Sequence, residues 1–320
     1  MPIKIPDQLP ALQVLDNENI FVMSENRAAS QEIRPMEVAI LNLMPNKIET
    51  EVQILRMLAN TPLQINVEFV RIHANESKHT PQEHLDNFYR LFDDIKTKQY
   101  DGLIITGAPL ALLDYQQVTF WDKICEVFDW AEKNVTSTMF SCWAAHAALY
   151  HHYGLSRHLR KNKLSGIYTH TSLDPKEELT RGFDEHFIVP HSRYGYITKA
   201  DYESVDALKI LAESEEAGVY LTVSKNKQQV YLTGHPEYDA TTLKEEYERD
   251  LTASLSPNIP VNYFPDDDAA KSPSNSWRSH GSLLFTNWLN YYVYQITPYQ
   301  LDANNIQALH PASQKLSKEP

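Results

Sequence analysis

The sequence predicts an α/β fold: a mostly parallel, twisted sheet with helices on both faces. Three observations lead there. Strand-like and helix-like runs alternate four times in succession between residues 36 and 152, which is the pattern of βαβ units. The run "YDGLIITGAP" (100–109) is apolar along its length and ends in a Gly/Pro turn, as a strand covered on both faces does. The cysteine of "STMFSCWAAHAALYHH" (137–152) stands where one apolar strand-like run passes into a helical one.

Taken in order, residues 1–35 are Pro-punctuated and mixed, and read as an irregular arm. "MEVAILNL" (36–43) is the first strand of the domain, followed by helical periodicity over "NKIETEVQILRMLAN" (46–60). "INVEFVRI" (65–72) is the second strand. Residues 80–97 read as one helix, with Thr80 as cap and Pro81 at its first position. The strand in 100–109 and a helix over about 117–134 come next, then the strand "TSTMFSC" and the helix after Cys142. Beyond about residue 160 strands dominate: "GIYTHTSL", "HFIVP", "ALKILAES", "GVYLTVSK" and "QQVYLTGH". Two helices close the domain, at 240–251 and 282–295, and the aromatic stripe of the second reads as core. The expected organisation is thus an N-terminal arm (1–35), one α/β domain (36–298) and a polar C-terminal tail (299–320).

Composition narrows the function. The chain has 320 residues and is 42% hydrophobic, enough for a full core. Lys+Arg numbers 29 against Asp+Glu 42, a formal charge of −13. That balance speaks against nucleic acid or a membrane surface as partner and serves solubility. Two cysteines, Cys125 and Cys142, make no disulfide framework, which suits a reducing compartment. The first twenty residues lack an unbroken apolar h-region, and no stretch approaches the ~18 apolar residues of a membrane span. A soluble cytoplasmic protein is expected.

The site is expected on one rim of the sheet. Ligands of such folds bind beyond the carboxyl ends of the strands, and both "TGAPL" (106–110) and Cys142 fall there. A thiol at a strand-to-helix turn meets the first N–H groups of the helix, which favour its thiolate. Ala144 keeps the small-residue rule of a nucleophile elbow, whereas Phe140 breaks it. Cys125, inside "FWDKICEVFDW", reads as core. A nucleophilic thiol needs a base, and the base an orienting group. His146 would sit a turn inside the helix and reads as a packed or half-exposed side chain. His235 in "YLTGHPEYDA" (231–240) ends a strand, and Glu237 follows across a proline that fixes the backbone. The remaining histidines, His151 and His152 among them, show no metal-ligand spacing.

On these residues the chain resembles the class I glutamine amidotransferase-like superfamily, of flavodoxin-like fold, and within it the homoserine O-succinyltransferases of methionine biosynthesis. The stretches that carry the resemblance are "LNLMPNKIETE" (41–51), "TGAPL" (106–110), "TSTMFSCWAAHAAL" (136–149), "KLSGIY" (163–168), "PHSRYG" (190–195), "TGHPEYDA" (233–240) and residues 276–299. The resemblance implies an acyltransferase with Cys142 as acyl-carrying nucleophile, His235 as base and Glu237 as its partner. It implies backbone N–H groups of Trp143 and Leu110 as the oxyanion hole, and Lys163, Ser192, Glu246 and Arg249 as substrate contacts. Glu246 and Arg249, three apart on one helix face, suit the ammonium and carboxylate of L-homoserine. Read without the family, "KEEYERD" is a solvated charged face. The basic run "RHLRKNK" (157–163) reads either as a solvated patch or as a contact for coenzyme A phosphates.

The implied reaction moves a succinyl group from succinyl-CoA to homoserine through an acyl-cysteine, with no metal or bound cofactor, in a homodimer. Position 111 separates acyl donors in the family: glutamate accompanies acetyl transfer and glycine succinyl transfer. Ala111 matches neither, but it brings no charge against a distal carboxylate, which favours succinyl. The alternatives are a homoserine O-acetyltransferase with the same triad, a glutaminase and a non-catalytic binding protein. A glutaminase normally passes ammonia to a synthetase partner or domain, for which the chain has no length to spare.

Overall fold

Short apolar runs separated by helices pair side by side in parallel. In the computed structural model, residues 35–59, 61–74 and 79–298 are described, together with the backbone of Ile3–Ile5 and Val22–Ser24. These last two, β1 (Ile3–Ile5) and β2 (Val22–Ser24), form a parallel pair inside the arm expected to be irregular. The expected tail, residues 299–320, lies outside the described residues.

The main sheet has ten strands: β3 (Met36–Leu41), β4 (Ile65–Arg71), β5 (Tyr89–Leu91), β6 (Tyr100–Ile105), β7 (Val135–Ser141), β8 (His158–Ser172), β9 (His186–Tyr196), β10 (Leu208–Ser214), β11 (Gly218–Ser224) and β12 (Gln229–Leu232). Their order is β5-β4-β3-β6-β7-β12-β11-β10-β8-β9. From β5 to β12 every ladder is parallel, and from β12 to β9 every ladder is antiparallel. The helices are α1 (Lys47–Leu58), α2 (Gln82–Phe88), α3 (Phe92–Ile95), α4 (Trp121–Asn134), α5 (Trp143–Tyr153), α6 (Lys199–Glu203), α7 (Thr242–Thr252) and α8 (Arg278–Asn287), the last running on as a π-helix over Trp288–Tyr294.

Side-chain alternation divides the core into two layers. Ala39, Leu41, Leu103, Ile105 and Phe140 pack under α4 and α5. Val38, Ile40, Ile104 and Met139 pack under α1 and α8. With both faces covered, β6 and β7 are buried along their whole length. The aromatic stripe of α8 and its extension is core, as read from the sequence. Trp288 is fully buried and donates from Nε1 to Ser137 Oγ at 3.0 Å. A Cβ at Gly102 would lie 2.9 Å from its ring.

The helix expected over 80–97 is divided. Pro81 stands at the cap position of α2, which ends at Phe88, and Tyr89–Leu91 leaves the helix to pair with β4. The Tyr89 phenol drives this: it is buried, donates to Glu51 at 2.6 Å and accepts from Asn42 at 3.0 Å. Thr80 caps a different helix, for its Oγ accepts the N–H of Lys47 at the start of α1.

The β8–β9 hairpin matters most for the site. It pairs from His158↔Tyr196 to Thr171↔His186. Only Thr171 and Ser172 hold it to β10, so the rest runs on beyond the sheet edge. The basic run 157–163 becomes its first half. Because β11 is antiparallel to β12, the β10–β11 turn lies at the carboxyl end of β12.

Candidate active site

The β7–α5 corner is a strained elbow. Cys142 has φ 49° and ψ −110°, a conformation that costs a non-glycine residue about 1–3 kcal/mol. Its N–H donates to the Leu232 carbonyl at 2.7 Å, which ties the corner to β12. Phe140 does not crowd the turn, because its ring lies flat on Tyr231 with centroids 5.1 Å apart. The expected common rim is present. A Cβ at Gly107 would lie 3.2 Å from Cys142 Cβ and 3.6 Å from His235 Cε1, so glycine keeps this approach open.

His235 follows β12 and is 3% exposed. Its N–H donates to the Pro190 carbonyl at 2.8 Å, and its Nδ1 lies 2.8 Å from Glu237 Oε1. A carboxylate accepts, so Nδ1 carries the proton and Nε2 remains for the thiol. Burial alone would lower the His235 pKa. The charges of Cys142 and then Glu237, each reinforced by a hydrogen bond, outweigh burial and hold it well above the usual imidazole value. Histidine and glutamate are thus joined by a hydrogen bond, with Cys142 across the Gly107 approach from the imidazole.

Tyr238, which the sequence reading did not single out, joins this pair to the charged helix. Its ring stacks on His235 at 4.2 Å and its hydroxyl donates to Glu246 Oε1 at 2.9 Å. Glu246 Oε2 accepts from Lys163 at 2.8 Å and from Ser192. Burial would raise the Glu246 pKa, but the Lys163 charge, with the Lys163 and Ser192 hydrogen bonds, holds it below the ordinary carboxylate range. Residues distant in sequence thus converge on one carboxylate. Arg249 is mostly exposed and gives Nε and Nη2 to a single oxygen of Asp250, at 2.9 and 2.7 Å. Asp250 also receives Lys163 at 3.3 Å and was missed in the sequence, where it reads as one more charge in a charged run.

Three further positions can be placed. Trp143 is the first residue of α5, so its N–H has no intrahelical acceptor. The Leu110 N–H, expected as the second oxyanion donor, donates instead to the Ala108 carbonyl at 2.8 Å, closing a tight turn at Pro109. Ala111 follows in that turn, half-buried. His146 is fully packed, and its backbone N–H donates to the Cys142 carbonyl at 3.2 Å. Cys125, expected in the core, lies within α4 but is only half-buried, on a face the core does not fully cover.

A mixed α/β sheet with a cysteine elbow after one strand and a histidine–glutamate pair just after its neighbour has the class I glutamine amidotransferase-like fold. The crystal structure of a glutamine amidotransferase from Thermotoga maritima matches it in fold, with TM-score 0.52 at 12% identity over 81% of this chain and 98% of that one. Within that class the chain belongs to the homoserine O-succinyltransferase family, whose model matches residues 2–299. It is 62% identical to the homoserine O-succinyltransferase of Pseudoalteromonas atlantica over 301 residues, 94% of this chain and 98% of that protein. The corresponding enzyme of Alteromonas mediterranea is 60% identical over 301 residues, covering 94% of this chain and 96% of its own.

Proposed function

We propose that Cys142 carries the succinyl group in a two-step transfer from succinyl-CoA to the hydroxyl of L-homoserine, the reaction for which its family is named. The observation that carries this is His235, held by Glu237 at 2.8 Å, with its Cε1 and the Cys142 Cβ both bordering Gly107. Cys142 gives its proton to His235 Nε2 as its Sγ attacks the thioester carbonyl, and the collapsing intermediate expels coenzyme A, whose sulfur takes that proton from Nε2. Neutral His235 then takes the hydroxyl proton of homoserine as its oxygen attacks the acyl-cysteine. Collapse returns the thiolate and releases O-succinyl-L-homoserine.

The Trp143 N–H serves the oxyanion, and Leu110 serves it after exchanging its Ala108 partner; one such donor is worth about 3–4 kcal/mol. Glu246 and Arg249 hold the two charged ends of homoserine, with its carboxylate competing with Asp250 for Arg249. The route draws on no metal or bound cofactor. Family resemblance is the support for a homodimer, and two cysteines that make no disulfide framework are the support for a cytoplasmic location. Among the described residues no helix is long and apolar enough to cross a membrane.

Free-thiol release from succinyl-CoA, with and without homoserine, tests the two half-reactions, with glutamine hydrolysis as control. A burst of coenzyme A without homoserine is expected, and no ammonia from glutamine. Arg249→Ala keeps the burst and loses turnover, because a charged hydrogen bond worth about 1.5–3 kcal/mol disappears from homoserine binding. Loss of the burst itself would assign Arg249 to the acyl donor.

Ala111→Glu tests donor choice. A carboxylate there opposes the distal charge of a succinyl group and spares an acetyl group. The ratio of kcat/KM for succinyl-CoA over acetyl-CoA should fall. An unchanged ratio would remove position 111 from the acyl pocket.

A further inference from the structure

The β8–β9 hairpin presents different chemistry on its two faces. Ser192 meets Glu246, while the next residue, Arg193, points to the opposite side and is 4% exposed. Arg193 donates from Nη1 to the Gly195 carbonyl and from Nη2 to the Ala217 carbonyl, both at 2.5 Å, and from Nε to His191 Nδ1 at 3.3 Å. A guanidinium only donates, which fixes the protons behind it. His191 accepts at Nδ1 and therefore donates from Nε2 to His170 Nε2 at 3.1 Å. His170 in turn donates from Nδ1 to the Tyr168 carbonyl at 2.9 Å. Burial first, and then the Arg193 charge, keeps His191 neutral. The row clamps the arginine without neutralising it.

Arg160 stands beside it, half-buried, with Nη2 donating to the same Ala217 carbonyl at 3.3 Å and Nε without a partner among the described residues. Neither arginine makes an ion pair among the described residues, in a chain of net charge −13. Both line a cavity of about 560 Å³, with His146, Tyr196, Ala217 and Thr233. His146 is 3% exposed and its Nε2 has no partner among the described residues. Burial, with Arg193 and Arg157, pushes its pKa down to about 3, so it is a neutral donor or acceptor. The acidic residues of the wall do not answer the arginines: Glu213 binds Lys199 at 2.7 Å, and Glu215 is exposed. A buried cation, a half-buried one and an unused imidazole around an open space call for an anion.

We propose that this cavity is a carboxylate pocket, in which Arg160 and Arg193 bind the anion and His146 adds a donor, and that the distal carboxylate of the succinyl group fills it. The proposal rests on Cys142 carrying that group. None of the triad lines the cavity, but two of its lining residues are close to the triad along the chain: His146 lies one helical turn after Cys142 and Thr233 two residues before His235. Arg157 joins it to the Ala111 turn, for it donates to the Leu113 carbonyl and its Cδ lies 3.5 Å from where a Gly195 Cβ would be. Burial lowers Arg193 to about 10, and the charge of Cys142 is the first influence opposing that.

The same chemistry suits the acyl group or a free dicarboxylate, and two measurements on the full chain separate them. The first is kcat/KM for succinyl-CoA and for acetyl-CoA in Arg160→Met and Arg160→Lys. The second is calorimetric binding of free succinate to Cys142→Ala, with and without Arg160→Met. If the acyl group is the occupant, Arg160→Met lowers the succinyl value about tenfold or more, leaves the acetyl value within about threefold, and Arg160→Lys recovers part of the loss. An unchanged donor ratio with succinate binding abolished by Arg160→Met would keep the pocket and assign it to a free anion, overturning the acyl assignment. Equal losses on both donors with unaltered succinate binding would overturn the pocket. Should Cys142 carry no acyl group at all, the succinate measurement still decides the pocket by itself.

Discussion

Cys142→Ser should abolish succinyl transfer, while Cys125→Ser leaves it largely intact. The substitution isolates the sulfur. Serine occupies the same elbow at φ 49°, keeps the N–H bond to Leu232 and leaves Gly107 clear. What it lacks is a group that ionises beside His235, and a neutral hydroxyl is a far weaker nucleophile towards a thioester. Cys125 sits in α4, a different helix from the one that follows the elbow. Rates measured side by side, with circular dichroism to confirm folding, decide the matter. Retained transfer by Cys142→Ser, or loss confined to Cys125→Ser, would remove Cys142 from the reaction.

His235→Ala should slow transfer by about 10²–10⁴, the range for losing a positioned general acid–base. The change removes the proton acceptor for homoserine and the proton donor for departing coenzyme A together, so both half-reactions should slow. Glu237→Gln should cost less. Its amide oxygen can still accept from Nδ1, so the ring stays oriented on Tyr238 while the negative charge is lost. Near-normal acyl transfer by His235→Ala at neutral pH would break the triad.

The parallel half of the sheet was legible because each strand carries its own evidence. Apolar runs with two covered faces, such as residues 100–105, need no knowledge of their neighbours. The Cys142 elbow and the His235–Glu237 pair were legible for a like reason, each being contained within a few residues of sequence. What stayed hidden depends on distant partners. Tyr89 leaves a helical pattern because Glu51 and Asn42 bind its hydroxyl. Lys163, Ser192 and Tyr238 meet at Glu246 only after the β8–β9 hairpin folds against α7. Arg193, between two polar neighbours in "HSRYG", gives no sign of burial in its own segment. Leu110 was expected to aim its N–H at the reaction centre, and Pro109 shapes a turn that directs it to Ala108 instead.

Intact-mass analysis of the protein mixed with succinyl-CoA in the absence of homoserine tests the acyl-cysteine most directly. The mass should rise by one succinyl group, the rise should be absent in Cys142→Ser, and addition of homoserine should discharge it. Full turnover with homoserine from a protein that never gains this mass, under conditions where Cys142 is intact, would contradict an acyl-enzyme and require direct transfer between the two substrates.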